Sequence, residues 1–382
     1  MEINKYIPFN KPFLTGKELQ YIEEAVSTGK ISGNGLFTKK CQESFEQNYG
    51  FKKCLLTSSC TDALEMTAML ANIKPGDEVI VPSYTFVSTA LAFVRQGATI
   101  VFADSEYDNP NINASKVEDL ITPKTKAIVP VHYAGVACDM DALADIANRH
   151  NLIVIEDAAQ GIDSYYISSK TGERMALGGV GHLGTFSFHE TKNIISGEGG
   201  MLAVNDERFI RRSEIIWEKG TNRAEFFRGE VNKYGWVDVG SSFLPSELIS
   251  AFLFAQLENL DIIQQKRKKI WNYYYENLIE WQSKLNLQLP VTPNYATNNA
   301  HMFYLIFESL EHRTEMIAKL KKKNIFAVFH YLSLHSSPYF KDMYRGEKLL
   351  NSDRFSDCLL RLPLYYELSI EEVDRILDVI VS

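Results

Sequence analysis

Lys192 lies in GTFSFHETKNIISGEGG, directly after an apolar run and just ahead of a glycine-rich turn. A lysine held against buried surface has a lowered pKa and can form a Schiff base with an aldehyde. A solvated surface charge is the plainer reading of any single lysine. Asp157 ends the apolar run LIVIE and is followed by Ala158, Ala159 and then Gln160. Its carboxylate must meet a cation, a helix end or water. A pyridinium nitrogen would be such a cation; an N-cap or a structural ion pair is the alternative. The segment LLTSSCTDALE passes from a strand into a helix through small or hydroxyl-bearing residues, among them Ser59, Cys60 and Thr61. Free amides at a helix start form an anion site that a phosphate can approach, although a plain Ser/Thr cap has the same residue types. Phe86, in PSYTFVSTA, either lies against a planar ring or packs in the core. One ligand needs a cationic ring nitrogen, a planar face, a phosphate and an aldehyde at once, and that ligand is pyridoxal phosphate.

These side chains must be gathered by the backbone. Short apolar strands are expected at 54–57, 78–82, 99–104, 127–132, 152–158, 184–189 and 201–205, with helical stretches such as TDALEMTAMLANI and MDALADIANRHN between them. Strands buried on both faces and alternating with helices make a mostly parallel α/β sheet. Such a sheet binds ligands at the carboxyl ends of its strands. Ser59 to Thr61, Phe86, His132, Asp157, Gln160, Ser187 and Lys192 all fall there. Before the sheet, residues 16 to 50 read as two helices around SGNG. Beyond about 240, SELISAFLFAQLENLDIIQQKRKKIWNYYYENLIEW reads as one very long helix or two nearly continuous ones. LQLP, HMFYLIF and AVFHY follow as strands, with a closing helix. The chain therefore divides into a large α/β domain with N-terminal helices (1–245) and a linking helix with a smaller α+β domain (246–382).

The 48 acidic against 40 basic residues, a net charge of -8, argue against nucleic acid or an anionic membrane as the main partner. No apolar stretch approaches the length of a membrane span, and the N-terminus lacks the apolar core of a signal peptide. Five scattered cysteines with no CxxC fit reduced thiols in a cytoplasm. Cys54, Cys60, His132 and Cys138 match no zinc spacing, and no metal site is expected.

SSCTDALE, PSYTFVSTA, PVHYAG, EDAAQ, FSFHETKN and GEGG, in this order, resemble the DegT/DnrJ/EryC1/StrS sugar aminotransferases, of the aspartate-aminotransferase fold. The resemblance runs from IPFNKP to RLPLYY. GKISGNGLFTKKCQ, VHYAGVACDMD, EKGTNRAEFFRG and AVFHYLSLH narrow it to the branch that makes dTDP-4-amino-4,6-dideoxygalactose, of the enterobacterial-common-antigen type. The resemblance implies that Lys192 is the Schiff-base lysine, Asp157 the pyridine-nitrogen partner and Phe86 the stacking aromatic. Gln160 would bond the ring oxygen, Ser187 the phosphate region, and Cys60 and Thr61 would cradle the phosphate. It further implies glutamate as amino donor, a nucleotide-linked 4-keto sugar as acceptor, and a homodimer with shared sites. A dehydratase branch carries histidine in place of the lysine, so Lys192 favours transamination.

The sequence departs from the family pattern in two places. The Gly-Tyr-Asn-x-Arg run, whose asparagine reaches the neighbour's phosphate, is here Gly240-Ser241-Ser242-Phe243-Leu244, leaving Ser242 for that contact. ISSKTGERM (167–175) is longer, as an enlarged hairpin. His132, His330 and His335 are substrate candidates with structural histidines as the alternative. Arg223 and Arg228 are candidates for a nucleotide pyrophosphate, with solvated arginines as the alternative. The rival readings are a C-3 ketone or another epimer as acceptor, a different pyridoxal-phosphate reaction, and a non-catalytic sugar-nucleotide-binding regulator.

Overall fold

The computed structural model of the chain describes residues 6–382. Nine strands come first: β1 Lys53–Thr57, β2 Glu78–Pro82, β3 Thr99–Ala103, β4 Thr125–Ile128, β5 Ile153–Asp157, β6 Tyr165–Ile167, β7 Arg174–Ala176, β8 Leu183–Ser187 and β9 Gly200–Val204. Seven of them form one sheet in the order β1-β9-β8-β5-β4-β2-β3. All neighbours in it pair parallel except around β9, which runs antiparallel to both β1 and β8. The α/β architecture expected from the sequence is therefore present.

Alternate residues of each strand feed two cores. Cys54, Leu56, Ile80, Val154 and Phe186 face one helical layer. Leu55, Val79, Val81, Ile155 and Leu202 face the other. Each fully buried aliphatic side chain contributes about 1.5–3 kcal/mol, which explains why these strands read as continuous apolar runs. The helices between them end where the sequence provides stops. Met140–His150 is capped by the Asp139 carboxylate, which accepts from Ala142 N at 3.1 Å, and closes at Asn151 in the left-handed region (φ 52°). The register places Asp157 beside Thr185, and Ser187 and Thr57 both opposite Gly200. The ends of β1, β5 and β8 thus meet the start of β9 at one edge.

The long helical stretch is two helices, Glu247–Leu257 and Leu260–Leu278. Asn259 leaves the helical region at the junction, and its side-chain amide donates to Ala255 O at 2.9 Å, closing the first helix. The N-terminal helices Glu18–Ser27 and Leu36–Tyr49 pack on Glu247–Leu257. Glu247, only 1% exposed, caps the second of these by accepting from Gly35, Phe37 and Thr38 N.

β10 Phe303–Ile306, β11 Val328–Phe329 and β12 Leu359–Leu362 form a second, antiparallel sheet in the order β10-β12-β11. It has its own core around Tyr274, Phe303, Leu360 and Ile376. Two details differ from the sequence reading. LQLP contributes only a single bridge, Gln288 to Ile306, and the central strand is β12, a stretch outside the strands expected from the sequence. ISSKTGERM lies in a hairpin, β6 against β7. Asp141 holds its turn by accepting from Ser169 N at 2.8 Å and from the Ser168 hydroxyl at 3.0 Å. Among the described residues, no helix is long and apolar enough to cross a membrane.

Candidate active site

A cavity of about 530 Å³ opens where the carboxyl ends of β1, β5 and β8 face the second sheet. Its size is that of a cofactor or small-molecule site. Lys192 enters it from the loop between β8 and β9. That loop is fastened by Asn193, whose amide donates to Gln264 Oε1 at 2.7 Å and to Asn299 O at 2.9 Å. Burial pushes the Lys192 amine below its ordinary pKa, and the Arg361 charge acts the same way, while Cys60 and Asp157 oppose it. Among the described residues, no carboxylate reaches ion-pair distance of that amine.

Asp157 is 5% exposed. Its Oδ2 accepts from the Thr89 hydroxyl at 2.7 Å and its Oδ1 from Ala159 N at 3.1 Å. Both donors are neutral, and burial raises its pKa against their pull. A buried carboxylate supplied with neutral donors only is a fitting partner for a cationic ring nitrogen.

Across the cavity the helix Cys60–Leu70 begins. The Ser59 hydroxyl accepts from Asp62 N at 3.0 Å, which leaves the amides of Cys60 and Thr61 without an acceptor among the described residues. The Thr61 hydroxyl meets Ser88 at 2.8 Å. A Cβ on Gly200 would collide with the Ser59–Cys60 peptide, so only glycine lets β9 run this close to the cradle. Such a helix start, with its unmet amides and hydroxyls, suits a phosphate.

The remaining wall is aromatic and basic. Phe86 leans toward Tyr331, with ring centroids 6.0 Å apart. Tyr331 holds φ 47°, a conformation rare for a bulky residue, and its hydroxyl accepts from Gln160 Nε2 at 3.2 Å. Gln160 Oε1 in turn accepts from Ala134 N at 2.6 Å. His301, 4% exposed, meets Asn193 Oδ1 through Nδ1 at 2.8 Å. Both hydrogens of that amide are spent elsewhere, so the imidazole must be the donor. Burial also holds the His301 pKa well below its usual value, which makes the ring a neutral donor. Burial likewise pushes the Arg361 pKa down. Its Nε is buried without an acceptor.

Of the residues singled out in the sequence, Ser59, Cys60, Thr61, Phe86, Asp157, Gln160, Ser187, Lys192 and His330 line this cavity. His132, His335, Ser242, Arg223 and Arg228 do not. His132 is fully buried: Nε2 meets Glu156 Oε2 at 2.8 Å and Nδ1 accepts from Cys138 N at 3.2 Å. Both ring nitrogens serve the packing behind β5. His335 bonds Ser83 at 2.7 Å between the two sheets. Arg228 pairs with Glu214 at 2.9 Å and Glu230 at 2.6 Å, and Arg223 lies 5.1 Å from the Phe227 ring. Ser242 is exposed and bridges to Glu218. Tyr331, His301 and Arg361 also line the cavity, and they lie outside the residues singled out in the sequence. A lone arginine between leucines in LLRLPL was the one available signal for Arg361.

The fold and this constellation define an enzyme of the pyridoxal-phosphate aminotransferase type. A family model for the DegT/DnrJ/EryC1/StrS aminotransferases matches residues 12–381. The chain is 32% identical to the spore coat polysaccharide biosynthesis protein SpsC of Bacillus subtilis, over 99% of this chain and 97% of that one. It matches a Streptococcus pneumoniae protein described as a sugar aminotransferase, solved in its PMP form, with TM-score 0.88, 25% identity, and 99% and 97% of the two chains covered. DesV of S. venezuelae, solved with a ketimine intermediate, matches with TM-score 0.87, 28% identity, and 98% and 97% covered. The chain belongs to the DegT/DnrJ/EryC1/StrS aminotransferase family, and it is a pyridoxal-phosphate-dependent sugar aminotransferase.

Proposed function

We propose that the enzyme transfers an amino group from glutamate to C-4 of dTDP-4-keto-6-deoxyglucose, giving dTDP-4-amino-4,6-dideoxygalactose. The sugar rests on the motif resemblance, and the spore coat polysaccharide relative agrees with a role in building polysaccharides. The donor rests on Arg361, a cation in the cavity wall that no carboxylate of the described chain neutralises. With Lys192 engaged by the cofactor, Arg361 is the group left to meet a donor carboxylate.

Bound there, pyridoxal phosphate supplies an aldehyde carbon that carries the amino group and a protonated ring that accepts the electron pair freed at the reacting carbon. Asp157 holds the proton at the ring nitrogen. The Cys60 and Thr61 amides, with the Ser59 and Ser187 hydroxyls, hold the phosphate; Phe86 covers the ring face, and Gln160 bonds the ring oxygen. Freed when the donor's amine takes its place on the cofactor, Lys192 Nζ would take the proton from the substrate carbon and pass it to the carbon that carried the aldehyde. Burial lowers the Lys192 pKa, which favours the neutral amine that a base requires.

The enzyme acts as a cytoplasmic homodimer in this proposal, with the chain dividing near residue 245. Phe227, Trp236 and Val239 are 67%, 83% and 65% exposed beside Arg223, Arg228 and Ser242, a surface suited to a second copy. Purified protein given glutamate and dTDP-4-keto-6-deoxyglucose tests the substrate, with the amino sugar identified by NMR. Amination of a 3-keto isomer in place of the 4-keto sugar would overturn it.

A further inference from the structure

The first described residues run as a strap across the lysine loop. Ile7 is fully buried, and its amide donates to Asn324 O while its carbonyl accepts from Phe326 N, each at 2.9 Å. The strap is thereby tied to residues 324–326, the segment that leads into β11. Asn10 Nδ2 donates to Glu190 O at 3.0 Å, in the loop that carries Lys192. Phe13 stacks on Tyr366 with centroids 3.7 Å apart, and its carbonyl accepts from Gln256 Nε2 at 2.9 Å. Between these fastenings, the ring of Phe9 lies 4.7 Å from the Arg361 guanidinium.

Arg361 sits on β12 with Nε buried and unmet, and no carboxylate of the described chain fixes it. A cation in that position is oriented by what it stacks on, and an aromatic face attracts it electrostatically. We propose that Phe9 is a positioning residue for the amino donor: it holds the Arg361 guanidinium in one plane at the cavity wall, ready for the donor's carboxylate. This rests on the reading of Arg361 as the donor's anchor. The strap preorganises the cation, because Phe9 is held between the segment before β11 at Ile7 and the Lys192 loop at Asn10. A preset cation binds its anion without first paying to order a flexible side chain.

Three variants of the holoenzyme, Arg361→Met, Phe9→Leu and Phe9→Tyr, separate the parts. The readouts are the KM for glutamate, the KM for the keto sugar nucleotide, and the dissociation constant of glutarate by calorimetry. Arg361→Met should weaken glutamate and glutarate and spare the sugar nucleotide; unchanged glutamate binding refutes the anchor itself. Weakening of the sugar nucleotide in its place would assign the cation to the pyrophosphate and equally refute the anchor. Given the anchor, Phe9→Leu should raise the glutamate KM and the glutarate constant about tenfold, equivalent to about 1.4 kcal/mol. Phe9→Tyr, which keeps the aromatic face, should stay within about twofold of wild type. Equal behaviour of the leucine and tyrosine variants, or a rise in the sugar nucleotide KM as large as that for glutamate, refutes the positioning role. If Phe9→Leu does not fold, trifluorophenylalanine at position 9 keeps the shape, drains the ring face, and should raise the same two constants.

Discussion

Replacing Asp157 by Asn tests the electrostatic core of the site. The substitution keeps the volume, and the Asn carbonyl can still accept from Ala159 N in place of Oδ1. The Thr89 hydroxyl, which also meets Thr85 at 2.9 Å, can turn to accept from the new amide. The fold should therefore survive. What disappears is the negative charge opposite the ring nitrogen, in a place 5% exposed to solvent. Breaking a buried charge pair costs about 3–5 kcal/mol. If that loss falls on the reacting state, kcat drops by roughly two to three and a half powers of ten. Stopped-flow absorbance of the glutamate half-reaction, with the cofactor saturating, measures it without the second substrate. A D157N rate within tenfold of wild type would refute the reasoning.

Three further outcomes follow from the same geometry. Burial raises the folded-state pKa of Asp157 above its ordinary value, so its charge destabilises the cofactor-free fold at neutral pH, and that handicap vanishes as pH falls through the folded pKa toward about 4. Urea titrations should find cofactor-free D157N more stable than wild type at pH 7, with a gap that narrows toward pH 4; a gap that widens on acidification contradicts the sign. Gly200→Ala should raise the dissociation constant for pyridoxal phosphate at least about a hundredfold, since its Cβ collides with the phosphate cradle; tight binding in a fluorescence titration would show the cradle lies elsewhere. His132→Gln should cost about 3 kcal/mol of stability, because Glu156 loses a buried partner, while the KM values of the folded enzyme stay near wild type. A selective rise in either KM would return His132 to the substrate site.

The part of the site built by the first sheet was legible because a parallel sheet gathers its strand ends by rule. Residues 59–61, 157 and 187 sit at such ends, and the Lys192 loop joins two neighbouring strands of that sheet. His132 also sits just past such an end, yet its ring points inward to Glu156; the chain position does not say which way a side chain turns. Arg361, His301 and Tyr331 come from the second sheet and its loops, and their place opposite Lys192 depends on how two separate cores dock. β12 was hidden because a charged residue and Pro363 interrupt its apolar pattern, whereas LQLP has the pattern but pairs through one residue. The break at Asn259 lies in unbroken helical periodicity with no glycine or proline, and it is set by a side-chain bond to Ala255 O.

Borohydride reduction of the enzyme loaded with pyridoxal phosphate, followed by peptide mass spectrometry, tests the central claim most directly. The account predicts one stable cofactor adduct, on the peptide bearing Lys192, and none in a Lys192→Ala variant. An adduct on a different lysine, or a wild-type protein that takes up no cofactor, would contradict it.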